Sequence, residues 1–253
     1  MYLKIQHFVT FITILLCTSC YQDASKPIRI EGKQVVIDSI FLNNEAVEDF
    51  VKPYRNRINE ILDSTLAFAP KMISKTDGTY NSSAGNLMAD IVYTQANPIF
   101  KSRTGKEIDF VLLNHGGIRS IISAGKVSAR NAFEVMPFEN LIVVAEVKGS
   151  DVSEMVSFLI REATAHPIAG MQLILDKNMD VRSFTIQGKP LQKDRIYYVA
   201  TSDYLVSGGD DMGYFKSNTK ITNTDYLIRN AMIDYFKKVD TLAPRVDNRF
   251  YID

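Results

Sequence analysis

Three short segments of the 253-residue chain join adjacent glycines or a stiff loop to side chains able to grip a small polar ligand. The first, Asn114-His115-Gly116-Gly117-Ile118-Arg119, closes an apolar run that begins near Asp109. Adjacent glycines let backbone approach a ligand closely, and an arginine beyond them presents a planar fork of donors suited to sugar or phosphate oxygens. The second, Met136-Pro137-Phe138-Glu139-Asn140, carries its aromatic on a loop that Pro137 stiffens, by fixing its own φ and pushing Met136 toward extended backbone. The third, Tyr204-Leu205-Val206-Ser207-Gly208-Gly209-Asp210, ends in a carboxylate that can accept from two hydroxyls at once. Taken singly, each also has a plainer reading: Gly116-Gly117 as a turn, Phe138 as core, and the residues before Asp210 as a solvated turn.

The elements that must position these segments follow from apolar patterning. Runs at 110–113, 141–147, 171–175, 181–186 and 196–201 read as strands, punctuated by Gly125, Gly149, Gly188 and Gly208-Gly209. Residues 83–96, 151–165 and 225–238 carry apolar residues three and four apart and read as helices, with Ser83 and Ser150 as candidate N-caps. Ahead of them, 34–40 reads as a strand. Val47, Phe50, Val51, Tyr54, Ile58, Ile61 and Leu62 recur at helical spacing, with Pro53 marking a kink or a late start. Several strands follow one another without a helix between them, which predicts an α+β fold with a mixed β-sheet and flanking helices, not a doubly wound parallel one. Composition is ordinary globular, 46% hydrophobic and 23% charged, enough for one domain with a sizeable core or two small ones. Lysine plus arginine and aspartate plus glutamate both number 29, so no global field draws nucleic acid. Any phosphate affinity must be local.

In order and spacing, the three segments resemble those of the 5′-nucleotidase family's C-terminal, substrate-recognising domain. Asn114 to Arg119 is similar to that family's Asn-Gly-Gly-Gly-Ile-Arg, with His115 at a glycine position that tolerates it poorly if φ must be positive. Pro137-Phe138-Glu139-Asn140 is similar to Pro-Phe-Gly-Asn, and Tyr204 keeps the family's spacing of an aromatic six positions before the Asp of Gly-Gly-Asp. A fourth stretch, Gly85-Asn86-Leu87-Met88-Ala89-Asp90, matches the family's Gly-Asn-Leu-x-x-Asp helix start, where Asn86 and Asp90 can satisfy backbone groups. The resemblance covers roughly residue 65 to the C-terminus and implies a base-stacking slot between Phe138 and Tyr204. It implies that Asn114 contacts the base, Arg119 the sugar side and Asp210 the ribose hydroxyls, with Gly116, Gly117, Asn140, Gly208 and Gly209 completing a nucleotide site. Relatives often carry an Arg shortly before the fourth stretch, and this chain has Tyr80 at about that place.

Complete members also hold two divalent metals on an N-terminal domain through Asp, His and Asn, the metal-bound hydroxide attacking the phosphate. Beyond residue 20 this chain has only His115 and His166, the latter read as a surface or C-capping residue before Pro167, and no Gly-x-Ser-x-Gly elbow. The expectation is no catalytic residue, metal or cofactor in this chain, with divalent metals on a partner. Three readings stay open: the recognition part of a 5′-nucleotidase acting with a separate metallophosphoesterase subunit that docks on residues 34–69; a nucleotide- or nucleoside-binding lipoprotein; or an interaction domain with a dead slot. The N-terminus reads as an export signal at 1–19, with Lys4 before an apolar run at 8–16 too short to span a bilayer. Cys17-Thr18-Ser19-Cys20 resembles a bacterial lipobox, so residues 20–33 read as a lipid-anchored tether, with 34–253 the folded domain in the cell envelope. Both cysteines lie in this stretch, which leaves the body without a thiol to pair. Cys20→Ala is expected to release the mature protein from membranes or leave its precursor uncleaved in a fractionation experiment; wild-type processing and membrane association of the variant would contradict the anchor.

Overall fold

The structure, a computed structural model, describes residues 5, 7–8, 12, 31–36, 44–215 and 219–253. Cys20, with residues 21–30 of the tether and most of the signal, lies outside the described residues, as do 37–40 of the strand expected at 34–40. Residues 31–36 have no regular structure. Two compact units divide the chain, Met1–Phe50 and Val51–Asp253.

Helix α1, Glu45–Asp63, runs through Pro53 without ending, so the proline costs one backbone hydrogen bond and does not delay the start. Its last turn is held by Arg130, which donates to Asn59 and to both carboxylate oxygens of Asp63. Ile58 and Ile61 remain exposed.

A five-stranded mixed sheet carries the rest of the second unit, in the order β10 (Ile221–Leu227), β4 (Leu141–Lys148), β9 (Ile196–Ser202), β2 (Phe110–Leu112), β5 (Ile168–Ala169). β2 runs parallel to β9 and the other pairs are antiparallel, as expected of an α+β fold. Phe110, Val111 and Leu112 are fully buried, because strands in mid-sheet are covered on both faces and read as continuous apolar runs. A second sheet has the order β11 (Phe250–Ile252), β6 (Met171–Leu175), β7 (Val181–Ile186), β8 (Lys189–Pro190), and β1 (Thr65–Ala69) pairs with β3 (Gly125–Ser128). Helix α2, Ser83–Thr104, packs on the large sheet beside α6, Ile228–Phe236, while α3, Ala129–Val135, meets α6 and α4, Gly149–Glu162, lies on β4.

Several boundaries differ from the sequence reading for identifiable reasons. α2 continues past Ala96 and through Pro98 because Phe100 on its last turns is buried, and each large apolar side chain so covered contributes about 1.5–3 kcal/mol. Gly105 ends it in a left-handed conformation, φ 72°. Its N-cap is Ser82, whose hydroxyl accepts from Gly85 N–H, not Ser83. α4 starts at Gly149 with no side-chain cap, so Ser150 lies inside it. The helix expected at 225–238 begins only at Ile228, because residues 221–227 instead complete the sheet beside β4.

Asn86 and Asp90 sit on α2 as expected, but they hold the C-terminal segment. Asn86 Nδ2 donates to Asn81 Oδ1 and to Arg245 O, both at 2.8 Å, and Asp90 pairs with Arg249. Asn81 in turn donates to the carbonyls of Asp247 and Phe250 and accepts from Asp247 N–H. Removing such a buried hub leaves several polar groups unsatisfied. Asn81→Ala is therefore expected to lower stability by about 2–4 kcal/mol in urea unfolding, and an unchanged midpoint would contradict the role.

Candidate nucleotide-binding slot

Strand register builds the site. Ile142 lies opposite Ser202 in the antiparallel β4–β9 pair, so the start of β4 meets the end of β9. Val111 lies beside Ala200 in the parallel β2–β9 pair, so three residues further on Asn114 reaches the level of Asp203. All three glycine and aromatic segments thereby emerge at one end of the sheet, although 96 positions separate Asn114 from Asp210.

They line one cavity of about 250 Å³, formed by Asn114, Gly116, Gly117, Arg119, Phe138, Asn140, Tyr204 and Asp210. Eight of the residues expected from sequence are thus brought together. Gly208 and Gly209 stay outside the lining and shape the turn behind it. A Cβ at Gly209 would lie 2.4 Å from Tyr204 Cζ, so glycine there lets the ring lie against bare backbone. Gly208 (φ 96°), Asp210 (φ 51°) and Asp211 (φ 55°) are all left-handed, a conformation that costs non-glycine residues about 1–2 kcal/mol each. Aspartate bears it better than most.

The polar centre is the Asp210 carboxylate. Oδ1 accepts from the Tyr204 hydroxyl at 2.8 Å and Oδ2 from Asn114 Nδ2 at 2.6 Å. The hydrogen bond to Asp210 pushes the Tyr204 phenol above its ordinary pKa. Phe138 and Tyr204 are each 43% exposed, so both rings keep open surface. Arg119 lies 5.9 Å from the Phe138 ring centroid and donates to Gly116 O. His115 sits in a 3-10 turn, residues 115–117, where none of the three has a positive φ. Histidine therefore replaces glycine at no backbone cost. Tyr80 packs on Phe250, ring centroids 4.9 Å apart, and is not part of the lining.

Three supporting residues had escaped the sequence reading or been misplaced by it. Arg229 of α6, buried, donates through Nη1 to the carbonyls of Pro137 (3.0 Å) and Phe138 (3.3 Å) and stacks on Phe133. It holds the Phe138 loop from more than 90 residues away, with no local signal. Asp203, in the first turn of α5 (Asp203–Val206), accepts from Leu141 N–H and Tyr204 N–H, tying the two walls together. Its place beside the capping Ser202 was the available hint. His166 is a correction: it is buried, not on the surface, and packs on Phe158 because the chain turns inward before β5. Its Nδ1 accepts from His115 N–H at 3.3 Å and so braces the glycine turn.

The model of the 5′-nucleotidase C-terminal domain family matches residues 63–217, more than half of the chain. The chain belongs to this family. Among relatives of the domain, a cell wall protein of Listeria monocytogenes is 28% identical over 68% of this chain and 24% of its own length. The 5′-nucleotidase of Vibrio vulnificus is 24% identical over 84% of this chain and 38% of its own. This 5′-nucleotidase C-terminal domain chain thus spans well under half the length of these curated relatives. The crystal structure of a 5′-nucleotidase precursor from Thermus thermophilus superposes with a TM-score of 0.67 at 19% identity, over 82% of this chain and 42% of that one, and shares the fold.

Burial pushes the His166 pKa down, against a smaller upward effect from the Leu113 backbone. The neutral ring is what keeps Nδ1 an acceptor. Because the folded value lies below the unfolded value near 6.5, the unfolded chain binds the proton more readily, so stability falls as pH drops from about 6.5 through the folded pKa. NMR titration is expected to place the His166 imidazole below about 6.5, and a midpoint at or above that value would contradict the buried brace.

Proposed function

We propose that this chain is the nucleotide-recognising part of a 5′-nucleotidase, acting in nucleotide catabolism beside a separate metallophosphoesterase subunit that performs the hydrolysis. The observation that carries the reading is the pair of half-open aromatic walls, Phe138 and Tyr204, on one cavity with Asp210 held at its floor by two donors. A base stacks between the rings. Asp210 keeps one acceptor site free on each oxygen for the two ribose hydroxyls, while Asn114 retains its amide oxygen and second N–H for the base edge. Arg119 faces the sugar side.

Hydrolysis requires a metal-activated hydroxide near the phosphate while the base is held at a distance, so recognition and chemistry can be divided between two surfaces that meet over the substrate. The divalent metals that this chemistry requires are assigned, in this reading, to the partner. Exposed Ile58 and Ile61 on α1 support residues 34–69 as its docking segment. The similarity to a cell wall protein supports a place outside the cytoplasm; the anchor in this reading is acylated Cys20, on the lipobox-like Cys17-Thr18-Ser19-Cys20 alone.

The test is AMP hydrolysis with Mn²⁺ or Zn²⁺ for this protein, for a candidate metallophosphoesterase, and for the mixture. The protein alone is expected to be inactive and to lower the partner's KM, an effect that Phe138→Ala weakens by about tenfold through loss of base stacking. Strong metal-dependent activity of the chain alone, or partner kinetics indifferent to its addition, would contradict the reading.

A further inference from the structure

We infer that His166 is a positioning residue that makes ligand binding acid-sensitive: its neutral ring holds the 115–117 turn in place, and a proton on the ring turns that hold into a repulsion. The inference rests on the slot binding a nucleoside as proposed above, and it concerns what regulates that binding.

The stitching between two segments carries the argument. Residues 113–117 run beside 165–167: Leu113 N–H donates to the Pro167 carbonyl at 2.9 Å, the His115 ring Nδ1 lies 3.2 Å from the Ala165 carbonyl, and His115 N–H donates to His166 Nδ1 at 3.3 Å. Of these acceptors only the imidazole can lose its lone pair to a proton. Protonated, Nδ1 points a second N–H at the first, and two donors so close cannot share the space. The His166 ring is 8% exposed and packs on Phe158, which leaves it little room to turn away. The turn therefore gives. Its internal bonds, Gly117 N–H to Asn114 O and Ile118 N–H to His115 O, are both 3.2 Å, at the long end of the ordinary range.

Movement of the turn reaches the ligand side directly. Gly116 and Gly117 line the cavity, Arg119 donates to Gly116 O, and a Cβ at Gly117 would lie 2.9 Å from Asn114 Oδ1, so the turn lies tightly against the Asn114 side chain. Asn114 in turn donates to Asp210.

The surroundings of the ring set where the change falls. Burial pushes its pKa down, the Leu113 backbone pulls it part of the way back, and the nearby His115 lowers it further. Glu162 of α4 and Asp210 favour the charged ring. Arg161, 5.3 Å from the Phe158 ring centroid, puts a cation on the same face of α4. α2, whose Gly85 packs toward Ala165 and Pro167, has no acidic residue in its first turn. Lys75 and Asp77, in the recess that Ala165 and His115 also line, are of opposite sign. Burial is the largest of these effects, so the ring is neutral near pH 7 and takes its proton below about 6.5.

Calorimetry with adenosine between about pH 7.5 and pH 5, over the range in which circular dichroism shows the protein folded, tests this on wild type, His166→Asn and His166→Phe. If the neutral fraction alone is competent, wild-type affinity falls by up to about tenfold per pH unit below the imidazole midpoint. Asparagine places Oδ1 where Nδ1 was and does not titrate, so His166→Asn is expected to bind across the range as wild type does at the upper end. Phenylalanine keeps the packing without the acceptor, and His166→Phe is expected to bind about three- to tenfold more weakly throughout. In ligand-free wild type, the His115 amide resonance is expected to titrate with the midpoint of the His166 imidazole. Wild-type affinity indifferent to pH, the same acid loss in His166→Asn, or a His115 amide that does not follow the ring overturns the inference and leaves the nucleotide site standing. Should the variants fail to fold, the two wild-type midpoints still decide: agreement supports the brace and disagreement overturns it. Failure of wild type to bind adenosine at any pH overturns the nucleotide reading itself, and this inference with it.

Discussion

The pairing of β4 with β9, Ile142 opposite Ser202, decides where every other part of the slot can lie. One wall is carried by the loop entering β4 and the other by the short helix leaving β9, so an antiparallel ladder sets their separation. A slip of one residue would turn the strands' side chains to the wrong faces, and their near-continuous burial strongly resists it. β2 adds the glycine turn at the same end because it runs parallel to β9. The rest of the fold serves this trio: α2 and α6 cover the sheet, and α6 also sends Arg229 under the Phe138 loop.

Within that frame, strain and hydrogen bonding offset each other. Asp210 and Asp211 occupy left-handed backbone that neither prefers. The turn is held from both sides, by buried Met212 behind it and by the Tyr204 and Asn114 donors on the Asp210 carboxylate in front. Tyr204 has two duties, presenting a ring face to the cavity and a hydroxyl to the carboxylate. A site organised in this way before any ligand arrives loses less freedom on binding. His166, Asp203 and Arg229 extend the same logic outward, each fixing backbone that carries a lining residue.

Much of this was legible in the sequence, and what was not shares a physical cause. The long strands were read because buried mid-sheet segments are continuous apolar runs, as at residues 141–148 and 196–202. β5, β8 and β11, of two or three residues, carry no period of their own. Residues 225–227, the end of the 221–227 strand, were mistaken for the start of a helix, since Tyr226 and Leu227 continue the spacing of α6 and only pairing with β4 reveals them as extended. Lining residues were found because they cluster in short glycine and aromatic segments. Arg229 and His166 act through contacts 51 to 92 positions away and look, locally, like an ordinary helix arginine and a surface histidine.

The central claim is that a base sits between Phe138 and Tyr204 with its ribose on Asp210. A crystal structure of the protein with adenosine tests it most directly. The account predicts the base stacked between the two rings and both ribose hydroxyls within hydrogen-bonding distance of the Asp210 carboxylate, with Tyr204 and Asn114 still donating to it. Adenosine bound elsewhere, or bound here with its ribose turned away from Asp210, would contradict it.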